Sequence, residues 1–328
     1  MFNPSNSFIK NLLIWIMLVF LGGMILIGIL AKYNILLGKK IQSEVSLDNQ
    51  AFPIARTEIV NDADIDKNQL NHTEPKIGIA PPIISAKAYL IMDVKTDTVL
   101  FSNNSDMQLP PASLTKIMTA IVAMEEYSLS KSVVVPERCV GLDGTSIGFK
   151  TNEVFTLEDM LYGLLVKSGA DAACAIANIS SEADFLAKMN EKAKEIGLQN
   201  TVFQNEIGFD AKNNQLTSVE DIRKLSLYAL KISTFRKIVG TKNAVIKNLN
   251  TVQKYSFQNT NDLLFTIPGT IGIKTGLTEK AGQCLSYLYQ NRDREILIII
   301  LGSQDRFQDT KALLEWANAE LDFRNKEL

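Results

Sequence analysis

The sequence predicts an α+β protein, with one antiparallel sheet flanked by helices and a helical subdomain set into the middle of the chain. Three observations predict it. Strand patterns open the folded part near Ser85 and return only after Ile271, so a single sheet must gather distant segments. Between them, apolar residues recur at helical spacing behind capping residues. The stretch 295–301 is almost continuously apolar, as a central strand covered on both faces requires.

The elements follow in order. Residues 88–94 and 98–101 are strand patterns, joined as a hairpin by Lys95-Thr96-Asp97. Pro110-Pro111 then lead into a helix in which Leu114, Ile117, Met118, Ile121 and Val122 share one face. Proline is favoured at a helix start and disfavoured inside, so this helix begins near Ala112 or Ser113 and runs to about Glu126. Residues 133–135 are short and apolar, and 141–148 form a glycine-rich loop. Thr156, followed by Glu158 and Asp159, starts a helix that stops at Ser168-Gly169, and Asp171 is placed to cap the next, through 178. A third helix spans 183–196 and ends at Gly197; a fourth starts at Ser218 and continues to about Ile232. Strands at 271–274, 284–289 and 295–301 follow, the last two joined by a turn at 291–294, and an amphipathic helix over 307–321 closes the chain.

The N-terminus reads differently. Residues 11–31 carry no charge and are long enough to cross a bilayer as a helix. The run is long for a signal peptide, and Gly28-Ile29-Leu30-Ala31 is a poor cleavage site, so an uncleaved anchor is expected. The organisation is thus a tail (1–10), a transmembrane anchor (11–31), a polar linker (32–84) and a folded domain (85–328). Lys32, Lys39 and Lys40 follow the span and only Lys10 precedes it, a charge bias that would keep the domain in the cytoplasm. The chemistry below places it outside.

Composition excludes several functions. A formal net charge of −2 in 328 residues argues against a nucleic-acid partner. The chain has one histidine, His72, in a polar segment; this leaves no Ser-His-Asp triad and no histidine-rich metal site. Cys139, Cys174 and Cys284 are widely spaced and fit neither a disulfide framework nor a zinc pattern; Cys174 and Cys284 read as core thiols.

A serine nucleophile in such a chain needs another base, and lysine can serve. Ser113 and Lys116 are three apart at a helix start, where an ammonium is disfavoured and burial would lower its pKa further. Taken alone, the pair fits equally a capping serine beside a solvated lysine. Ser168, at a helix break beside Gly169, is able to relay a proton to a leaving amine or merely to satisfy local backbone. Lys274 and Thr275 at a strand end suit a carboxylate, and Gly276 lets a ligand approach the strand closely enough to add to its edge.

Together, Ser113-Leu114-Thr115-Lys116, Ser168-Gly169 and Lys274-Thr275-Gly276 resemble the three ordered motifs of serine penicillin-binding enzymes. The text around them, at 112–120, 157–165 and 272–276, looks like low-molecular-weight D-alanyl-D-alanine carboxypeptidases of peptidase family S11, over about 86–323. The resemblance implies a serine β-lactamase/transpeptidase-like fold and removal of the terminal D-alanine from peptidoglycan stem peptides outside the membrane. Ser113 would be acylated, Lys116 would take its proton, and Ser168 would protonate the departing D-alanine. Lys274 and Thr275 would hold the substrate carboxylate, and the backbone N–H groups of Ser113 and Leu277 would form the oxyanion hole. β-Lactams would acylate the same serine, and no metal or organic cofactor would be needed.

Two departures stand out. The second motif usually ends in asparagine, and here Ala170 stands there. The segment 205–210 lacks the histidine common in the family's Asn-Pro-His-Gly run. The alternatives are a serine β-lactamase, for which Glu206 is the one suggestive acid, and a non-catalytic wall-binding homologue, which Ala170 alone favours.

Overall fold

The computed structural model describes residues 78–210, 215–292 and 294–327. Its core is an antiparallel sheet. The strands are β1 (Ala88–Asp93), β2 (Thr98–Asn103), β7 (Thr270–Thr278), β8 (Gly282–Asn291) and β9 (Arg294–Ser303), in the order β2-β1-β9-β8-β7. Between β2 and β7 the chain builds the helical subdomain. It comprises α1 (Lys116–Glu126), the pair β3 (Ser132–Val134) and β4 (Val154–Thr156), then α2 (Leu157–Leu165), α3 (Ala170–Ala177), α4 (Glu182–Ile196), α5 (Val219–Leu230) and α6 (Ser233–Val239). The hairpin of β5 (Asn243–Lys247) and β6 (Lys254–Gln258) and the single turn α7 (Leu263–Thr266) lead into β7, and α8 (Arg306–Glu327) ends the described chain.

The period-2 geometry of β9 explains its unbroken apolar run. Leu297, Ile299 and Leu301 join Leu90 and Met92 in the core shared with the helical subdomain. Ile296, Ile298 and Ile300 join Tyr89 and Ile91 against Leu313, Leu314 and Trp316 of α8. With both faces covered, neither can be polar. On the helical side α1 is the hub, buried from Lys116 through Ala123.

Local signals set the helix ends. The side chains of Thr156, Ser181 and Ser218 accept hydrogen bonds from the N–H groups of Asp159, Asp184 and Asp221, and Gly197 closes α4 at φ +79°. The expected fourth helix is two, broken near Ile232. The expected Asp171 cap is absent: Gly169 holds the cap position of α3, and the buried Asp171 carboxylate turns instead toward the loop before α2. The first helix also differs. Ala112 adopts φ +48°, and Ala112–Thr115 form a 3₁₀ turn, so regular α1 begins only at Lys116.

The cysteine reading is corrected in one respect. Cys139 and Cys174 form a disulfide that joins a 3₁₀ turn (Glu137–Cys139) to α3 across 35 residues, so Cys174 is not a thiol. Wide spacing hid it, because the fold and not the sequence brings the two together. Cys284 is free and buried in β8, as expected.

The packed body begins upstream of Ser85. The N–H groups of Gly78 and Ile79 donate to the Glu320 carboxylate, the Trp316 indole donates to the Ile79 carbonyl at 2.8 Å, and Ser85 bonds Asp309. The expected anchor at 11–31, and His72, lie outside the described residues; among those described, no helix is long and apolar enough to cross a membrane.

Replacing both Cys139 and Cys174 by alanine removes a cross-link that closes a 35-residue loop. Stability is expected to fall by about 2–4 kcal/mol, seen as a melting temperature roughly 5–15 °C lower than that of the oxidised protein. An unchanged melting temperature would show that the bond contributes nothing to the fold.

Candidate active site

The nucleophile candidate is set by a constricted stretch of backbone. A Cβ on Gly208, which has φ +91°, would lie 2.0 Å from the Ala112 carbonyl oxygen. One on Gly276 would lie 3.0 Å from the Ala112 Cβ and 3.2 Å from the Ser113 nitrogen. Glycine at both places lets the turn at 205–209 and the edge strand β7 close on Ala112 and Ser113 from two directions. Thr115 locks the turn, its hydroxyl donating to the Ala112 carbonyl at 2.9 Å while accepting from Gln215 Nε2 at 2.6 Å. In a 3₁₀ turn the side chains at i and i+3 eclipse. Lys116 Nζ is thereby brought within 2.9 Å of Ser113 Oγ.

Lys116 is 1% exposed, and its second acceptor is the Ile207 carbonyl at 2.8 Å. Burial pushes the ammonium pKa down to about 7, opposed by the negative charges of Glu206 and Asp171. The Ile207 carbonyl is presented by a turn that Asn205 organises, its Oδ1 accepting from the N–H groups of Ile207, Gly208 and Phe209. The histidine missing from this run is therefore not needed to hold the lysine, since the contact is to backbone.

Ser168 sits at φ +65°, a conformation that turns the chain sharply between α2 and α3. It is 5% exposed, and its Oγ accepts from Lys274 Nζ at 2.8 Å. Lys274 also donates to the Thr275 carbonyl at 2.9 Å. Burial first, then the nearby charges of Lys116 and Arg306, hold its pKa well below the usual lysine range. Thr275 exchanges a 2.6 Å hydrogen bond with Thr260.

A cavity of about 780 Å³ joins these groups, lined by Ser113, Lys116, Ser168, Thr275, Gly276 and Leu277 among others. Every residue expected at the site is thus gathered at one cleft along the edge of β7, with one refinement. Lys274 lies behind Ser168 and polarises it, and does not itself face the cavity. Sequence reasoning missed Arg306, whose Nη1 donates to the Gly276 carbonyl at 2.9 Å while its buried Nε has no partner among the described residues. A cation lining the cleft suits a carboxylate. Its one sequence signal is a lone arginine where the last helix starts. Glu206, by contrast, is 4% exposed and does not line the cavity; burial raises its pKa. The acids that do line the cavity are Asp143, Asp210 and Glu279.

The family model for D-alanyl-D-alanine carboxypeptidases matches residues 76–305. The chain belongs to that family. A D-alanyl-D-alanine carboxypeptidase of Bacillus subtilis is 33% identical over 242 residues, covering 71% of this chain and 62% of the relative. One of Escherichia coli is 31% identical over 256 residues, covering 73% and 62%. The chain thus spans less than two thirds of the length of these two relatives. The crystal structure of the Streptomyces K15 DD-transpeptidase superposes with a TM-score of 0.70 at 27% identity, covering 74% of this chain and all of that one. The fold is that of the penicillin-binding DD-peptidases, an antiparallel sheet with helices on its faces and a helical subdomain, as the resemblance implied.

Only a neutral Lys116 can accept the serine proton. With its pKa near 7, the rate at which benzylpenicillin acylates Ser113 is expected to rise about tenfold per pH unit below 7 and to level off above it. Stopped-flow or mass-spectrometric acylation rates from pH 5 to 9 measure this, and a flat profile would remove Lys116 as the base.

Proposed function

We infer that the chain is a serine D-alanyl-D-alanine carboxypeptidase that removes the terminal D-alanine from peptidoglycan stem peptides. One observation carries the reading: a fully buried lysine, poised to lose its proton near neutral pH, bonded at 2.9 Å to a partly exposed serine. Family membership supports the substrate class.

A peptide lies extended along the edge of β7, its terminal carboxylate met by Thr275 and Arg306. Lys116 takes the Ser113 proton as Oγ attacks the carbonyl of the penultimate D-alanine. The N–H groups of Ser113 and Leu277 receive the negative charge that develops on that oxygen. Ser168, polarised by Lys274, delivers its proton to the leaving amine as the carbon–nitrogen bond breaks and takes up the one held by Lys116, so free D-alanine departs and the lysine is neutral again. Water then attacks the ester, Lys116 accepting its proton and passing it to Ser113 Oγ as the ester bond breaks, and the shortened peptide leaves with both residues restored. No step needs a metal or an organic cofactor. A β-lactam places its strained amide at the same carbonyl position and acylates Ser113.

The same reading places the domain outside the cell membrane, tethered by the apolar span 11–31, because the wall polymer is there. The Cys139–Cys174 bond supports this, since disulfides persist in oxidising compartments and are rare in the cytosol. The lysines after the span oppose it only weakly, because large domains translocate against modest charge bias.

Full-length protein in detergent is expected to release D-alanine from diacetyl-Lys-D-Ala-D-Ala, and Ser113→Ala to abolish both this release and labelling by fluorescent penicillin. Equal labelling of the two proteins would sink the assignment. Arg306→Ala is expected to raise KM by about 10- to 100-fold with a smaller effect on kcat, as loss of one charged hydrogen-bond partner does. Steady-state kinetics at pH 8 measure it. The protein is further expected to stay with membranes in alkaline carbonate and to expose its folded domain to protease added outside spheroplasts; a protected domain would reverse the topology.

A further inference from the structure

Ala170 lines the cleft wall where the family resemblance leads one to expect an asparagine, and a neighbouring loop reaches it. The Ala170 N–H donates to the Thr145 carbonyl at 2.8 Å, so the tip of the 143–149 loop lies against the first residue of α3. Both residues line the cavity that holds Ser113, Lys116 and Ser168.

This loop is not loose. The buried Asp171 carboxylate accepts from the Ser146 hydroxyl at 2.6 Å and from the N–H groups of Ile147, Gly148 and Phe149 at 2.9, 2.9 and 3.3 Å. Ile147 is seated where side chains are missing: a Cβ on Gly163 would lie 2.3 Å from its Cδ1, and one on Gly169 2.9 Å. Gly144, at φ +80°, packs so near the Phe209 ring that a Cβ there would lie 3.2 Å from it, and Phe209 belongs to the turn that holds Lys116. The loop is therefore pinned to α3, to α2 and to the 205–209 turn. Thr145 stands exposed at its tip, and no hydrogen bond engages its hydroxyl among the described residues.

A peptide extended along β7 turns half of its backbone N–H and C=O groups away from that strand. Those groups face the opposite wall of the cleft. We propose that Thr145 is a substrate-binding residue whose hydroxyl bonds the backbone of the peptide on the acyl side of the scissile bond, in place of the side chain that Ala170 lacks. Asp171 is the positioning residue that holds it there. The inference rests on the carboxypeptidase reading and deepens it: the substrate is gripped between the β7 edge and a hydroxyl on a clamped loop.

The test uses the full chain in detergent and two readouts, D-alanine release from diacetyl-Lys-D-Ala-D-Ala and the second-order rate of Ser113 acylation by benzylpenicillin. Thr145→Val is expected to lower kcat/KM and the acylation rate by about tenfold without moving the melting temperature, as loss of one hydrogen-bonding partner does. Thr145→Ser should keep near-wild-type rates. Adding Ala170→Asn to Thr145→Val should restore most of the loss. Wild-type rates in Thr145→Val, equal losses in the Val and Ser variants, or no recovery in the double variant would each overturn the role of Thr145. If the wild type is acylated but releases no D-alanine, the carboxypeptidase reading fails, and the acylation rates still decide Thr145. If it does neither, both fall.

Discussion

A lysine amine sealed in the protein interior, with a serine hydroxyl and a backbone carbonyl as its acceptors, is the constraint on which the rest of the site depends. Placing a chargeable group there costs free energy, and the protein lowers that cost by letting the proton go. The geometry must then be held without an ion pair. The Asn205 turn aims the Ile207 carbonyl at Nζ, and the Thr119 hydroxyl ties the neighbouring Glu206 carbonyl to α1 at 2.6 Å. Gly208 and Gly276 give up their side chains so that this turn and β7 can close around Ser113. A second lysine repeats the theme. Lys274 is buried behind Ser168 and weakened in part by the charge of the first, so two amines of reduced basicity flank one reacting centre.

The parts of this arrangement that were legible in the sequence are those with short-range signals. Ser113 and Lys116 share one turn, Lys274 to Leu277 share one strand, and the helices announce themselves through Thr156, Ser218 and Gly197. The sheet could be assembled because β1 and β9 are apolar on both faces. What escaped has its partner far away. Arg306 meets Gly276 across 30 residues, Asp171 meets the loop at 146–149 across more than 20, and Cys139 meets Cys174 across 35. The three-residue β4 and the single turn α7 are too short to show a period. The break between α5 and α6 falls inside a stretch whose apolar spacing continues, so the sequence alone ran them together.

The departures from the family pattern divide along the same physical line. Replacing a histidine by Ile207 costs the site little, because the working contact is a carbonyl that any residue supplies. At Ala170 the family resemblance leads one to expect an amide, and alanine brings no hydrogen-bonding side chain in its place. Asp171 and Gly169 connect this position to the adjacent loop: one clamps it, and the other leaves room for Ile147. A change in the second motif is thus felt through the loop as well as at the position itself.

β7 is the outermost strand of its sheet, with β8 on one side only. Such an edge is a hazard in most proteins, since it invites another chain to pair and propagate an aggregate. Under the proposed function it cannot be capped, because that unpaired edge is where the substrate would lie. Access is restricted instead: Ala112 and Ser113 crowd the strand at Gly276, and the cleft walls leave a slot rather than an open flank. A slot of that kind would admit one thin, flexible chain end and refuse a second folded sheet, so the walls that would select a substrate also guard the edge against pairing.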